Sequence, residues 1–270
     1  MDISVVVITW NKLGLLRECI ESVRDNARSC SSELIVIDNG STDGTGEYLG
    51  SLKDARILLN ARNLGVSRAR NQGIGMAGGR YILHLDDDTV MHRGCLDRIV
   101  GFMDSNPEVW LSGGKLLNPD GTLQPSARTF YTPRVILARR TPWGRTRGGR
   151  KLVARHLMEW WDHDDSRTVD WVCGACFCMR SDAVGRIGTL DENYFFGMED
   201  LDWAFRVWRE GGLVAYVHDA LVTHVYQRSS RRLFSRKALD HLASLARFHL
   251  KHGFRYPERP HEDGAALILD

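Results

Sequence analysis

Along the first hundred residues, apolar runs of strand length alternate with apolar positions at helical spacing. Ile3–Thr9 is a continuous apolar run, and Leu13, Leu16, Ile20 and Val23 then recur on one helix face. Leu34–Ile37 reads as a second buried strand, after which Thr42-Asp43 can cap a helix carrying Tyr48 and Leu49. Ile57–Leu59 is a third short strand, a helix spans Val66–Met76, and Tyr81–Leu85 is the fourth strand. This βαβαβαβ order predicts an α/β protein with a mostly parallel central sheet flanked by helices.

Regularity fades after residue 100. Val109–Leu111 and Lys115–Leu117 are short strand candidates, and Asn118-Pro-Asp-Gly121 is a turn. Thr132 to Arg167 has no clear period and reads as a long Arg-rich loop. Val169–Met179 reads as a buried strand, and a helix from about Glu199 to Glu210 stops at Gly211-Gly212. Strands at Leu213–Val217 and Leu221–Val225 precede a last helix over Leu233–Leu250. The tail after Gly253 is polar, and loose attachment is expected.

Composition narrows the class without naming it. The 270 residues are 43% hydrophobic and 26% charged, with a formal net charge of +2, as in ordinary globular proteins. That charge is too small to imply a nucleic-acid partner. No apolar run reaches the roughly 20 residues a membrane helix needs, and no leader pattern precedes the strand at Ile3. A cytoplasmic protein is expected, with room for peripheral contact at the inner face of a membrane. The six cysteines have no framework spacing, and Cys173-Gly-Ala-Cys176 has no second CxxC to complete a zinc site. Gly73-Ile-Gly75-Met-Ala-Gly78 matches GxGxxG but ends a helix and feeds a strand, the reverse of a dinucleotide fingerprint.

The chemistry gathers at strand ends. Tyr81–Leu85 runs straight into Asp86, Asp87 and Asp88, which cannot follow it into the core. Three adjacent carboxylates form an acidic turn or a site for a hard cation such as Mg²⁺ or Mn²⁺. Asp38 ends the second strand on the same sheet edge, where it can cap a turn or accept a hydrogen bond from a nucleobase N–H. Arg68 and Arg70 lie near enough in the chain to pair with these acids or with phosphates. Glu199 and Asp200 open a helix behind the aromatic Tyr194-Phe-Phe-Gly197, where the helix dipole keeps a carboxylate ionised. His224 follows a strand and can complete a metal's coordination sphere or serve structure alone. These residues also fit a nucleotidyltransferase acting on sugar phosphates, or a non-catalytic nucleotide- or carbohydrate-binding module.

In order, the motifs resemble a family 2 glycosyltransferase with the GT-A fold. They are Val5-Val-Val-Ile-Thr-Trp-Asn11, Val36-Ile-Asp-Asn-Gly-Ser-Thr-Asp-Gly44, Asn63-Leu-Gly65 with Ala69-Arg-Asn71, and Leu85-Asp-Asp-Asp88. Gly174-Ala, Leu190-Asp-Glu, Phe195-Phe, Glu199-Asp-Leu-Asp202, Arg206, Gly211 and His224 complete the series, which looks most like the rhamnosyltransferase-like branch. The resemblance implies a single domain over 1–252 and a tail at 253–270. Within it, 1–118 would bind the nucleotide sugar, and 119–252, with the Arg-rich loop 132–167, the acceptor.

The resemblance also implies roles. Asp38 would contact the nucleobase with Thr9 nearby, and Asn11, Asn63, Arg70, Asn71, Asp86 and Asp87 would lie on the donor side. Asp88, with Asp86 and less securely His224, would hold Mg²⁺ or Mn²⁺. Asp200 would be the catalytic base, with Glu199 beside it. Trp171, Gly174 and Trp203 would face the acceptor, Trp203 standing where the family often has an aliphatic residue. The implied reaction is inverting transfer from a nucleoside-diphosphate sugar, dTDP-rhamnose or a UDP-sugar, to a hydroxyl.

Two basic clusters remain. One is Arg134, Arg139, Arg140, Arg145, Arg147, Arg150, Lys151 and Arg155; the other is Arg228, Arg231, Arg232, Arg236 and Lys237. They read as solvated loop charge or as a lid over an anionic or lipid-linked acceptor. A nucleic-acid surface is disfavoured, because no aromatic residues interleave in a recognised pattern.

Overall fold

The computed structural model describes residues 1–26, 30–225, 236–253, 255–257 and 268–269. Arg228, Arg231 and Arg232, the side chains of Arg236 and Lys237, and most of the tail lie outside the described residues. The chain begins β1 (Ile3–Thr9), α1 (Leu13–Asn26), β2 (Ser32–Asp38), α2 (Thr45–Gly50) and β3 (Ala55–Leu59). It continues α3 (Val66–Met76), β4 (Tyr81–Asp86), β5 (Thr89–Met91), α4 (Cys95–Ser105) and β6 (Val109–Leu117). Next come β7 (Leu123–Gln124), β8 (Ala127–Arg128), α5 (Pro133–Arg140), a 3-10 turn at Pro142–Arg145 and α6 (Arg147–His156). The remainder is β9 (Ser166–Thr168), β10 (Trp171–Val172), β11 (Cys176–Arg180), α7 (Ser181–Ile187), α8 (Glu199–Arg209), β12 (Leu213–His224), α9 (Arg236–His252) and β13 (Ile268–Leu269).

Apolar runs buried on both faces in β4, β1 and β2, with the more exposed β3 at the edge, give the parallel block β4-β1-β2-β3. Along β1, Val5 and Val7 enter the large core with Leu16, Cys19 and Ile20 of α1, while Val6 points the other way towards Ile35, Ile37, Ala69 and Ile82. Gly73 lets α3 lie against that second face, because a Cβ there would collide with Val6 Cγ1. Beyond β4 the sheet becomes mixed. β11 runs antiparallel between β4 and β6, and β12 is parallel to β6. β5 and β9 flank β12, β13 pairs with β9, and β8 with β10 forms a separate two-stranded ladder.

Several elements differ from the sequence expectation for local reasons. Val109–Leu117 is one strand, because Gly113 and Gly114 serve close contact rather than a break: a Cβ on either would lie 2.6 Å from Val172 or from the Ala220 carbonyl. Leu213–His224 is likewise continuous, with an irregularity between Val217 and Leu221 absorbing the polar residues. Val169–Met179 is split into β10 and β11 by a turn at Cys173–Ala175. The segment expected as an irregular Arg-rich loop folds into α5, the 3-10 turn and α6. Thr132 and Thr146 cap the two helices, accepting from Val135 N and Gly149 N. The thiols of Cys176 and Cys178 are free and buried in β11, and burial pushes both pKa values up, as suits small apolar residues.

Candidate active site

Parallel pairing sets the first part of the site. Thr9 registers with Asp38 and Ile8 with Asp86, which places the ends of β1, β2 and β4 on one sheet edge. Asp38 is buried and accepts from Ser41 N at 3.0 Å, closing the turn after β2. Asn11, with φ 54°, accepts from Thr42 N at 2.7 Å and so ties the β1 loop to the β2 loop. Asn63 accepts from Gly65 N and Asn39 Nδ2, which makes it a brace of the neighbouring turn.

The three aspartates separate in role as soon as their partners are seen. Asp87 is buried; it accepts from Thr9 Oγ1 at 2.9 Å, Trp10 N at 3.3 Å and Lys12 Nζ at 2.9 Å. Burial pushes its pKa up to about 6, against the pull of Lys12. Asp88 accepts from Lys12 Nζ at 2.8 Å through Oδ2, while Oδ1 faces His224 Nε2 at 3.3 Å without a well-aligned hydrogen bond. Burial alone would raise Asp88, but the His224 imidazole and the Lys12 ammonium beside it outweigh burial and hold the carboxyl below its usual range. Antiparallel pairing of β5 with β12 brings this imidazole in, since His224 registers with Thr89 and Val225 N donates to Asp88 O. Gln124 Oε1 lies 2.7 Å from His224 Nδ1 and favours a proton there.

Asp86, Asp88 and His224 offer ligand atoms that all lie within 4.8 Å of one another. Two carboxylates, one with an under-partnered oxygen, and an imidazole suit a divalent ion of the Mg²⁺ or Mn²⁺ type. A divalent metal site is therefore consistent with the chemistry of these residues.

Across the site stands the acid pair. Gly197 and Met198 both have φ 76°, a left-handed entry that turns the chain abruptly into α8. Arg70, only 2% exposed, donates to Glu199 Oε1 at 2.9 Å, Asp86 Oδ1 at 2.8 Å and Gly174 O at 2.7 Å. Glu199 Oε2 is buried without a partner. Asp200 is less enclosed, and its two oxygens accept from Gly174 N and Leu201 N, each at 2.8 Å. Burial raises both acids, and their mutual repulsion lifts Glu199 further.

Not every candidate joins this group of residues. Asn71 exchanges hydrogen bonds with Leu190 O and N, and Arg68 pairs with Glu192. With Ser67 donating to Tyr194 O and Val66 N to Phe195 O, they splint the loop ahead of α8 onto α3. Trp203 is fully buried against Phe177 and His84, its Nε1 donating to Gly188 O. Trp171 is buried in β10, with Arg128 over its ring and Nε1 on Thr129 O. Two residues were missed in the sequence. Lys12 in the first βα turn pairs with Asp87 and Asp88, and the need of adjacent acids for a cation was a legible signal. Gln124 carried no signal, since only the fold brings it to His224.

Comparisons with known proteins agree with this geometry. Residues 4–153 match the family described as Glycosyl transferase family 2, and residues 81–239 match Glycosyl transferase family group 2. N-acetylglucosaminyl-diphospho-decaprenol L-rhamnosyltransferase of Mycobacterium tuberculosis is 29% identical over 253 residues, covering 84% of this chain and 77% of that protein. Pre-mycofactocin glycosyltransferase of the same organism is 26% identical over 241 residues, covering 88% of this chain and 45% of its own length. Among solved structures, GalNAc-T7 with UDP, GalNAc and Mn²⁺ has a TM-score of 0.67 at 17% identity, covering 93% of this chain and 48% of that one. S. aureus TarS has a TM-score of 0.59 at 15% identity, covering 93% and 43% respectively. The chain thus spans less than half of those two structures, and the likeness is one of fold.

Proposed function

The chain belongs to glycosyl transferase family 2, is rhamnosyltransferase-like and has the GT-A fold; on that footing we propose that it transfers a sugar with inversion from a nucleoside diphosphate to an acceptor hydroxyl. The observation that carries this reading is the Arg70 bridge, which holds Asp86 of the acidic strand end beside Glu199 and its neighbour Asp200. In this reading Asp38, with Thr9 nearby, would contact the nucleobase, and Asp86 the ribose or sugar. A divalent cation, Mg²⁺ or Mn²⁺, held by Asp88, His224 and Asp86 would neutralise charge on the departing diphosphate. Asp87 acts by locking the β1 loop through Thr9 and Trp10.

Asp200 serves as the base. The acceptor oxygen attacks the anomeric carbon, the bond from that carbon to the diphosphate breaks, and the electron pair leaves with the nucleotide. The hydroxyl proton passes to the Asp200 carboxylate. Two backbone N–H donors orient that carboxylate, and burial brings its basicity towards the range a general base needs. Gly174 lets Arg70 and the base approach its backbone together, since a Cβ there would lie 2.9 Å from Arg70 Nη1 and 3.2 Å from Asp200 Oδ2. Residues 1–118 form the donor half and 119–252 the acceptor half in this reading. The proposed donor is dTDP-rhamnose or a UDP-sugar, and the acceptor an anionic, lipid-linked hydroxyl compound met at the inner membrane face.

The test is nucleoside-diphosphate release from dTDP-, UDP- and GDP-sugars, with and without Mn²⁺ or Mg²⁺. Metal-dependent release from one donor, lost in Asp88→Asn, supports the reading. Release of pyrophosphate instead would overturn it.

A further inference from the structure

Residues 121–158 hold nine basic side chains and no Asp or Glu, whereas the rest of the chain has 27 basic against 34 acidic residues. The fold concentrates this charge on the hairpin of α5, the 3-10 turn and α6. Val135, Ala138 and His156 face inward, and the hairpin is tightly closed: a Cβ on Gly144 would strike the Ala138 carbonyl, and one on Gly149 the Trp143 carbonyl. Arg147, Lys151 and Arg155 recur every four residues on one exposed face of α6, with Arg150 and Arg145 exposed beside them. None of the ion pairs among the described residues uses Arg134, Arg145, Arg147, Arg150, Lys151 or Arg155. Amid this charge stand Leu137, 53% exposed, and Trp143, 37% exposed at the tip.

We propose that the α5–α6 hairpin is a docking surface for an anionic phospholipid membrane. Apolar side chains that enter the interface, ringed by arginines that meet lipid phosphates, are the two ingredients of peripheral attachment. No described helix is long and apolar enough to cross a membrane, so attachment through this surface would be peripheral. The hairpin is also linked to the acid pair through intervening residues. Thr129 N donates to His156 O at the end of α6, Thr129 O accepts from Trp171 Nε1, and β10 leads through Cys173 to Gly174 beside Asp200. A membrane held there would lie on the acceptor side of the base. This deepens the lipid-linked reading above, but vesicle binding is measured without sugar transfer, so the two ideas fail separately.

The experiment is co-sedimentation of the full chain with phosphatidylcholine vesicles and with vesicles that also contain phosphatidylglycerol, over a salt series. Binding at least about ten-fold tighter to the anionic vesicles, weakening with salt, is expected. The R145E/R147E/R150E variant should lose it, while R145K/R147K/R150K should keep it, because a membrane reads charge rather than guanidinium geometry. Trp143→Ala should weaken binding and leave its salt dependence. Equal binding to neutral vesicles, no binding, or full binding by the glutamate variant overturns the proposal. Loss in the lysine variant, or displacement of vesicles by polyuridylate at equal charge, also overturns it, by pointing to a discrete anion or RNA site. Should the glutamate variant unfold, the lysine variant and the wild-type salt series decide.

Discussion

Arg70 Nη1 lies 2.9 Å from Glu199 Oε1 across 129 positions of sequence, and both side chains are almost wholly removed from water. The same guanidinium holds Asp86 and the Gly174 carbonyl, so one planar fork joins the two acidic motifs. Removing it strands buried charge. Arg70→Ala is expected to cost about 3–5 kcal/mol in denaturant unfolding. Arg70→Lys should recover less than half of that, since an ammonium cannot span three acceptors in a plane. A loss under about 1 kcal/mol, the value of a surface pair, would remove this role.

Asp200→Asn should lower transfer by about 10²–10⁴-fold, the contribution expected of a general base. Nucleotide-induced thermal stabilisation should persist, because the donor-side residues are untouched. One backbone N–H would then face an amide nitrogen, so the variant's melting temperature belongs in the same experiment. Transfer at the wild-type rate would reassign the base to Glu199 or to a group not in this pair.

The raised carboxyls make opposite demands on pH. A base must be ionised, so transfer should rise with pH through values above the ordinary carboxylate range. Stability runs the other way. A raised folded pKa means that the folded protein holds its protons more tightly, so this contribution is complete below the unfolded value of about 4 and declines as pH rises through the folded one. Glu199→Gln removes one charge from the pair and should move the acidic limb of the rate profile downward. A limb at the same pH in both proteins would contradict the coupling.

His224 depends on Gln124 for its orientation. Gln124→Leu leaves the three ligands in place and should still weaken Mn²⁺ binding by about 10–100-fold, as loss of an outer partner does. Electron paramagnetic resonance of free Mn²⁺ measures this directly. Unchanged affinity in both Gln124→Leu and His224→Ala would exclude the imidazole from the metal site.

What could be read in advance followed from periodicity and from charge. The ends of β1 were legible because its apolar run meets a polar boundary, those of α3 because glycines flank it, and the acidic motifs because buried strands cannot carry three carboxylates inward. Helix α4 was overlooked although Leu96, Ile99, Val100 and Met103 follow helical spacing and are buried. The helices at 133–156 were hidden by their shortness, each burying few side chains under many arginines. Asn63 and Asn71 stand in a motif, yet their amides face loop backbone. Sequence order alone cannot tell a ligand contact from the splint that supports it.

The α3–β1 contact offers a test of that support. Gly73 follows, in the same helix, the residues that brace the loop before α8, and its missing Cβ is what admits Val6. Gly73→Ala gains helix propensity of up to about 1 kcal/mol but forces a methyl into a filled space, at about 1–3 kcal/mol. Net destabilisation is expected, because a sheet residue buried on both sides cannot retreat. Val6→Ala alone should cost about 1–3 kcal/mol through the cavity it leaves. The double variant should be more stable than the sum of the two single losses predicts, since the new methyl fills that cavity. Strict additivity in urea unfolding would mean that α3 shifts as a body, and transfer should then fall in Gly73→Ala along with Asn71's hold on Leu190.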